Sequence, residues 1–148
     1  RTIFFSRGVI ETIRKLNWSP DIIHCHGWMS ALIPIYIKKA FRDNPLFNES
    51  KIVYSLYDDD FTETFRDGFD KKMTLQNITP EDVAHLQDAN YVNLMKTALD
   101  FSDGVIMGSE KINPELEDYA RSLNIPLLEY QSPENYVDAY NDFYDNIK

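Results

Sequence analysis

A chain of 148 residues, 43% of them hydrophobic, is long enough for one domain with a true core, burying roughly 70% of its unfolded surface. A net charge of −9 excludes a nucleic-acid surface, whose phosphates demand a basic face, and disfavours anionic membranes. No apolar run approaches the roughly 18 residues of a membrane-spanning helix, and the single cysteine, Cys25, excludes an intrachain disulfide and fits a reducing cytoplasm.

The chain begins on Arg1 and opens directly on a helical pattern, so it reads as a fragment of a longer protein. Ile3, Phe4, Val9, Ile10, Ile13 and Leu16 recur at helical spacing over 2–16, and Asn17 and Pro20 end the helix. Ile22 to His26 is short, apolar and β-branched, a buried strand, and Gly27 sits where a parallel strand hands over to a helix. That helix is expected over 29–41, with Leu32, Ile33, Tyr36, Ile37 and Ala40 inward and Lys38, Lys39 and Arg42 near its C-terminal end. A second strand spans 51–57 and stops at Asp58-Asp59-Asp60, since adjacent carboxylates do not continue into a core. Residues 61–77 lack periodicity and read as a loop or short irregular helices. Thr79-Pro80-Glu81-Asp82 carries a helix-start signal, and a longer helix follows over 92–101. A strand at 105–107, a helix over 114–123, a strand at 126–130 and a helix capped at Ser132-Pro133-Glu134 and running to about Tyr144 complete the chain. Alternating helices and strands predict an α/β fold, an open parallel sheet with helices on both faces joined by right-handed crossovers.

Three polar clusters follow the carboxyl ends of predicted strands, the edge where open α/β sheets bind ligands. They are His24/His26/Gly27/Trp28, Tyr57 with Asp58 to Asp60, and Gly108/Ser109/Glu110. Strand alternation puts His24 and His26 on one face and Cys25 on the other, so the triplet makes a poor metal site. The three aspartates read as a solvated acidic loop, with a metal-bridging D-x-D as the alternative. No Gly-rich phosphate loop is present. Tyr136, Tyr140, Phe143 and Tyr144 form one helical stripe; core packing is the ordinary reading, a sugar-stacking platform the sharper one.

Pro20-Asp21-Ile22-Ile23-His24-Cys25-His26-Gly27-Trp28, continuing through Ala31-Leu32, Pro34 and Tyr36 to Lys38, resembles the P-D-x-x-H-x-H-D-W-H-T-A-L-x-P-x-Y-L-K pattern of the glycogen and starch synthase family. Lys51 to Asp58 is similar to the family strand ending in T-I-H-N. Asn93 to Lys96, Ser102 to Val105 and Ser109 resemble its N-x-x-K, A-D-x-V and V-S elements, in family order. The resemblance begins at Phe5-Ser6-Arg7 and reaches about Glu117. It implies the N-terminal, acceptor-side Rossmann-like domain of a two-domain (GT-B) glycosyltransferase, with 1–148 as one domain and the C-terminal part of it.

The resemblance further implies transfer of glucose from ADP-glucose to an α-1,4-glucan, with retention and without a cofactor or essential metal. His26, Trp28, Tyr57 and Asp58 would line the cleft. The departures are Gly27 where the family has Asp, Met29-Ser30 for His-Thr, and Tyr57-Asp58 for His-Asn, so Tyr57 takes the place of a missing histidine and no catalytic residue is assigned. Nothing after Glu117 resembles the donor domain, which leaves a protein partner as one candidate source of it. The alternative is a non-catalytic glucan-binding or assembly module with the same fold.

Overall fold

The computed structural model describes residues 1–65, 67–73 and 77–148. Four strands, β1 (Ile22–His26), β2 (Lys51–Leu56), β3 (Gly104–Met107) and β4 (Leu127–Leu128), form one sheet in the order β1-β2-β3-β4, every neighbouring pair parallel. Period-two alternation divides their side chains. Cys25, Ile52, Tyr54, Leu56, Val105 and Met107 enter the large core, whereas Ile22, Val53, Ile106 and Leu128 belong to a smaller one on the opposite face.

A monotonic strand order with crossovers of one hand puts every connecting helix on one face. The large core accordingly collects α1 (Thr2–Lys15), α2 (Ile33–Ile35), α3 (Phe69–Met73), α4 (Tyr91–Asp100) and α5 (Pro114–Ser122). Fully buried Ile10, Ile35, Leu94 and Met95 are its centre, each stabilising the fold by roughly 1.5–3 kcal/mol through the apolar area it removes from water. The second face is covered by α6 (Tyr136–Ile147), through Phe143, Tyr140, Tyr144 and Ile147. Gly104 permits that crossing: a Cβ there would overlap Ile147 Cδ1 and lie 3.0 Å from Phe143 Cζ. Helices therefore lie on both faces, as expected, but unequally.

Several boundaries differ from the sequence reading. The helix expected over 29–41 is a 3-10 turn at Trp28–Ser30, a single α turn (α2) and a π turn at Tyr36–Ala40, where the Phe41 N–H donates to the Tyr36 carbonyl at 2.8 Å. Pro34 is the physical reason for the break, because it has no N–H to donate to the Ser30 carbonyl. The start signal at Thr79-Pro80 opens turns and a 3-10 helix, Ala84–Asp88, rather than an α-helix. Asp82 is held there by its carboxylate, which accepts from the Thr79 N–H at 3.0 Å, and by Lys39 at 3.2 Å. β4 is two residues long, and α6 begins at Tyr136, later than the Ser132-Pro133 signal, and runs past Tyr144 to Ile147. Of the segment read as irregular, 61–77, residues 66 and 74–76 lie outside the described residues; α3 is its short helix. No helix among the described residues is long and apolar enough to cross a membrane.

Candidate functional site

The carboxyl ends of β1, β2 and β3 converge. β1 delivers His24 and His26 to the α6 face, their rings stacked with centroids 4.0 Å apart. β2 ends one residue before Tyr57, whose hydroxyl is 2.7 Å from His26 Nδ1. The Asp58 N–H donates to Ser109 Oγ at 3.1 Å, joining the second cluster to the third. Gly108 allows this approach, since a Cβ there would come within 2.6 Å of the Tyr57 ring and 2.9 Å of the Leu56 carbonyl.

Burial fixes the protonation of the pair. His26 is lowered below the ordinary histidine range by desolvation, and the Tyr57 phenol is raised, first by desolvation and then by the neighbouring Asp59. Both are therefore neutral near pH 7, a wall that can donate and accept hydrogen bonds without carrying charge. Beneath them His24 is pushed down to about 4, by burial first and by His26 second. Its Nδ1 lies 2.5 Å from the Tyr144 hydroxyl of α6 and its Nε2 2.6 Å from Ser55 Oγ. A neutral imidazole has one donor and one acceptor, so one partner donates to His24 and the other accepts.

Trp28 stands on the other side of the edge. Its ring meets Phe61 edge-on at 5.2 Å, and Phe61 in turn contacts Tyr91 and Phe65. Trp28, Phe61, Glu63, Thr64 and Phe65 line a cavity of about 220 Å³. Of the four residues singled out by sequence, the structure pairs His26 with Tyr57, turns the Asp58 backbone onto Ser109 and groups Trp28 with the aromatic cavity.

Sequence reasoning left Asp59 inside an acidic run, yet it organises the edge. Its Oδ2 accepts from the Trp28 N–H at 3.1 Å and its Oδ1 from the Tyr91 hydroxyl at 2.5 Å. Gly27, with φ 68° and ψ 175°, occupies backbone space that is essentially glycine-only, and a Cβ there would sit 3.0 Å from Asp59 Oδ2. The carboxylate of Asp59 thus fills the ground beside Gly27. Tyr54 secures the same turn, donating to the Gly27 carbonyl at 2.5 Å, and Ser30 Oγ donates to the carbonyls of His26 and Gly27, both at 3.0 Å. Asp60 accepts from Asn113 Nδ2 at 3.1 Å. The only advance signal for Asp59 was its position just beyond a parallel strand.

A family model for the starch synthase catalytic domain matches residues 1–124. Glycogen synthase of Chlorobium luteolum is 34% identical over 105 residues, covering 70% of this chain and 20% of that protein. Glycogen synthase of Chlorobaculum tepidum is 33% identical over 120 residues, 80% of this chain and 24% of that protein. The chain thus spans about a fifth to a quarter of the length of the curated relatives it matches. Among solved structures, the catalytic domain of starch synthase IV from Arabidopsis thaliana, bound to ADP and acarbose, has the same fold with a TM-score of 0.65 at 17% identity, over 88% of this chain and 29% of that one. The motif-bearing strands, the edge they build and the match over residues 1–124 agree: the chain belongs to the starch synthase catalytic-domain family.

Proposed function

We propose that this chain is the glucan-acceptor side of a glycogen or starch synthase-type glucosyltransferase, with 1–148 the C-terminal part of its N-terminal domain. The observation that carries the reading is the His26–Tyr57 hydrogen bond at the carboxyl edge, built by the segments that resemble the family's two edge motifs. In such a transfer the bond from the sugar C1 to the donor phosphate breaks and a bond from C1 to an acceptor hydroxyl forms. The acceptor's proton leaves with the diphosphate or to solvent. His26 and Tyr57, neutral and partly open to solvent, would hold hydroxyls of the reacting sugars, and Trp28 would offer an apolar face to a pyranose ring. Asp58 would bound the cleft. The ADP and acarbose on the similar solved structure make a nucleotide sugar and an α-glucan the ligands expected here. The diphosphate's cationic surroundings would come from chain beyond these residues or from a partner protein, since charge stabilisation of the leaving group is the largest contribution in reactions of this kind. We place this activity in the cytoplasm.

One observation favours the second reading, a glucan-binding module without transfer. The edge carries Asp58, Asp59, Asp60 and Glu110, a wall that repels a diphosphate. Thermal shifts of the complete native chain separate the readings, because a ligand at 100 times its dissociation constant stabilises by about 2.7 kcal/mol. Shifts with both ADP-glucose and maltoheptaose support the synthase. A shift with maltoheptaose alone supports the module, and no shift with either overturns both.

A further inference from the structure

The residues beyond the family match, 125–148, do more than finish the sheet. β4 and α6 bring tyrosines to the same carboxyl edge. On α6, Tyr136 and Tyr140 pack edge-to-face with centroids 5.5 Å apart, and Tyr140 and Tyr144 follow at 6.4 Å. Tyr140 also leans on His24 at 5.8 Å, and His24 stacks on His26, the partner of Tyr57. The aromatic ladder is therefore continuous with the proposed acceptor edge. Its outer member is open: Tyr136 is 45% exposed, and Tyr130, on the separate segment just beyond β4, is 37% exposed. Phe143, by contrast, is buried in the small core. The stripe has split, Phe143 inward for packing and Tyr136 outward.

We propose that Tyr136 and Tyr130 form a second, outer binding surface for a neutral α-glucan chain whose end lies at His26 and Tyr57. The inference rests on the glucan reading of that edge. Charge selects the occupant. α6 carries Asp138, Asp142 and Asp145 and no cation before Lys148, so phosphorylated or carboxylated ligands are repelled, whereas a polyhydroxylated chain finds ring faces for its C–H groups and hydroxyls and carboxylates for its O–H groups. After burial, repulsion from Tyr57, Tyr136 and Tyr130 as those phenols ionise helps raise the Tyr140 phenol above its ordinary range. Three separate elements, the loop after β2, the segment after β4 and α6, thus converge on Tyr140.

The test compares calorimetric affinities of maltotriose and maltoheptaose for the complete native chain, the Tyr57→Ala variant, a Tyr130→Ala/Tyr136→Ala variant and Tyr136→Phe. Both truncated tyrosines are at the surface, so the thermal midpoint should hold. The double variant is expected to lose roughly tenfold in maltoheptaose affinity, the scale of an aromatic contact, while maltotriose binding is kept. Tyr136→Phe should bind like wild type. If the double variant binds maltoheptaose within about twofold of wild type while Tyr57→Ala does not bind, the outer surface is refuted and the acceptor edge stands. If wild type binds neither sugar, both readings fall.

Discussion

Removing the Asp59 carboxylate tests how the edge is held. Asp59→Ala strips the acceptor from the Trp28 N–H and from the Tyr91 hydroxyl. Hydrogen bonds to a charged group contribute about 1.5–3 kcal/mol each. Three facts reduce the sum: Asp59 is partly solvated, Tyr91 retains the Tyr57 carbonyl at 3.3 Å as an acceptor, and losing one of three adjacent carboxylates relieves repulsion. A net cost of about 2 kcal/mol follows, which in a domain of this size lowers the thermal midpoint by roughly 4–8 °C. The assay is urea unfolding at pH 7 of wild type, Asp59→Ala, Tyr91→Phe and the double variant. Because the two groups share one hydrogen bond, their effects should overlap by about 1 kcal/mol or more. Glucan affinity should fall in Asp59→Ala as the Trp28 turn loosens. Fully additive effects, or a loss under about 0.5 kcal/mol for Asp59→Ala, would refute the claim that this carboxylate organises the turn.

Gly104→Val should release α6 from the sheet, since even a Cβ would overlap Ile147 and Phe143; amide exchange over 136–147 should accelerate while β1 and β2 stay protected, and unchanged protection would contradict the packing. His24 has a folded pKa of about 4 against an ordinary 6.5. As pH falls, the unfolded chain takes up this proton first, so the stability present above pH 6.5 is progressively lost toward pH 4. Thermal midpoints should decline through that window and decline less in His24→Gln; a flat profile in wild type would count against the buried neutral imidazole. Cys25 is 3% exposed with its thiol pushed up to about 12 by burial, so it should resist a thiol reagent at pH 8 until the chain is unfolded; rapid native labelling would contradict its placement.

The parts of the fold legible in advance were those whose signal is local. Ile22 to His26, Lys51 to Leu56 and Val105 to Met107 are apolar, β-branched runs with clear stops, and they formed the strands expected of them. Cys25 lies on the face of β1 opposite His24 and His26 for the same reason, strand alternation. The helix over 29–41 did not form as one, because inward spacing is satisfied equally by an α-helix and by a turn interrupted at Pro34. At Thr79-Pro80 a capping pattern served a 3-10 turn instead, with Asp82 drawn to Lys39, a partner that no local rule names. The Asp59–Tyr91 bond links residues 32 apart, and Tyr91 in sequence is only an aromatic just before the helix expected over 92–101. Gly104 carries no local signal beyond preceding the strand at 105–107; its need for close approach is visible only with α6 lying across it.

The role proposed for this chain is to take part in lengthening an α-glucan. Incorporation of labelled glucose from ADP-glucose into a glycogen primer, catalysed by the complete native chain, tests it most directly. Incorporation above a donor-free blank, abolished by Tyr57→Ala, is the predicted result. A folded protein that incorporates nothing beside a working synthase, alone or with its co-purifying partners, would contradict transfer and leave glucan binding as its role.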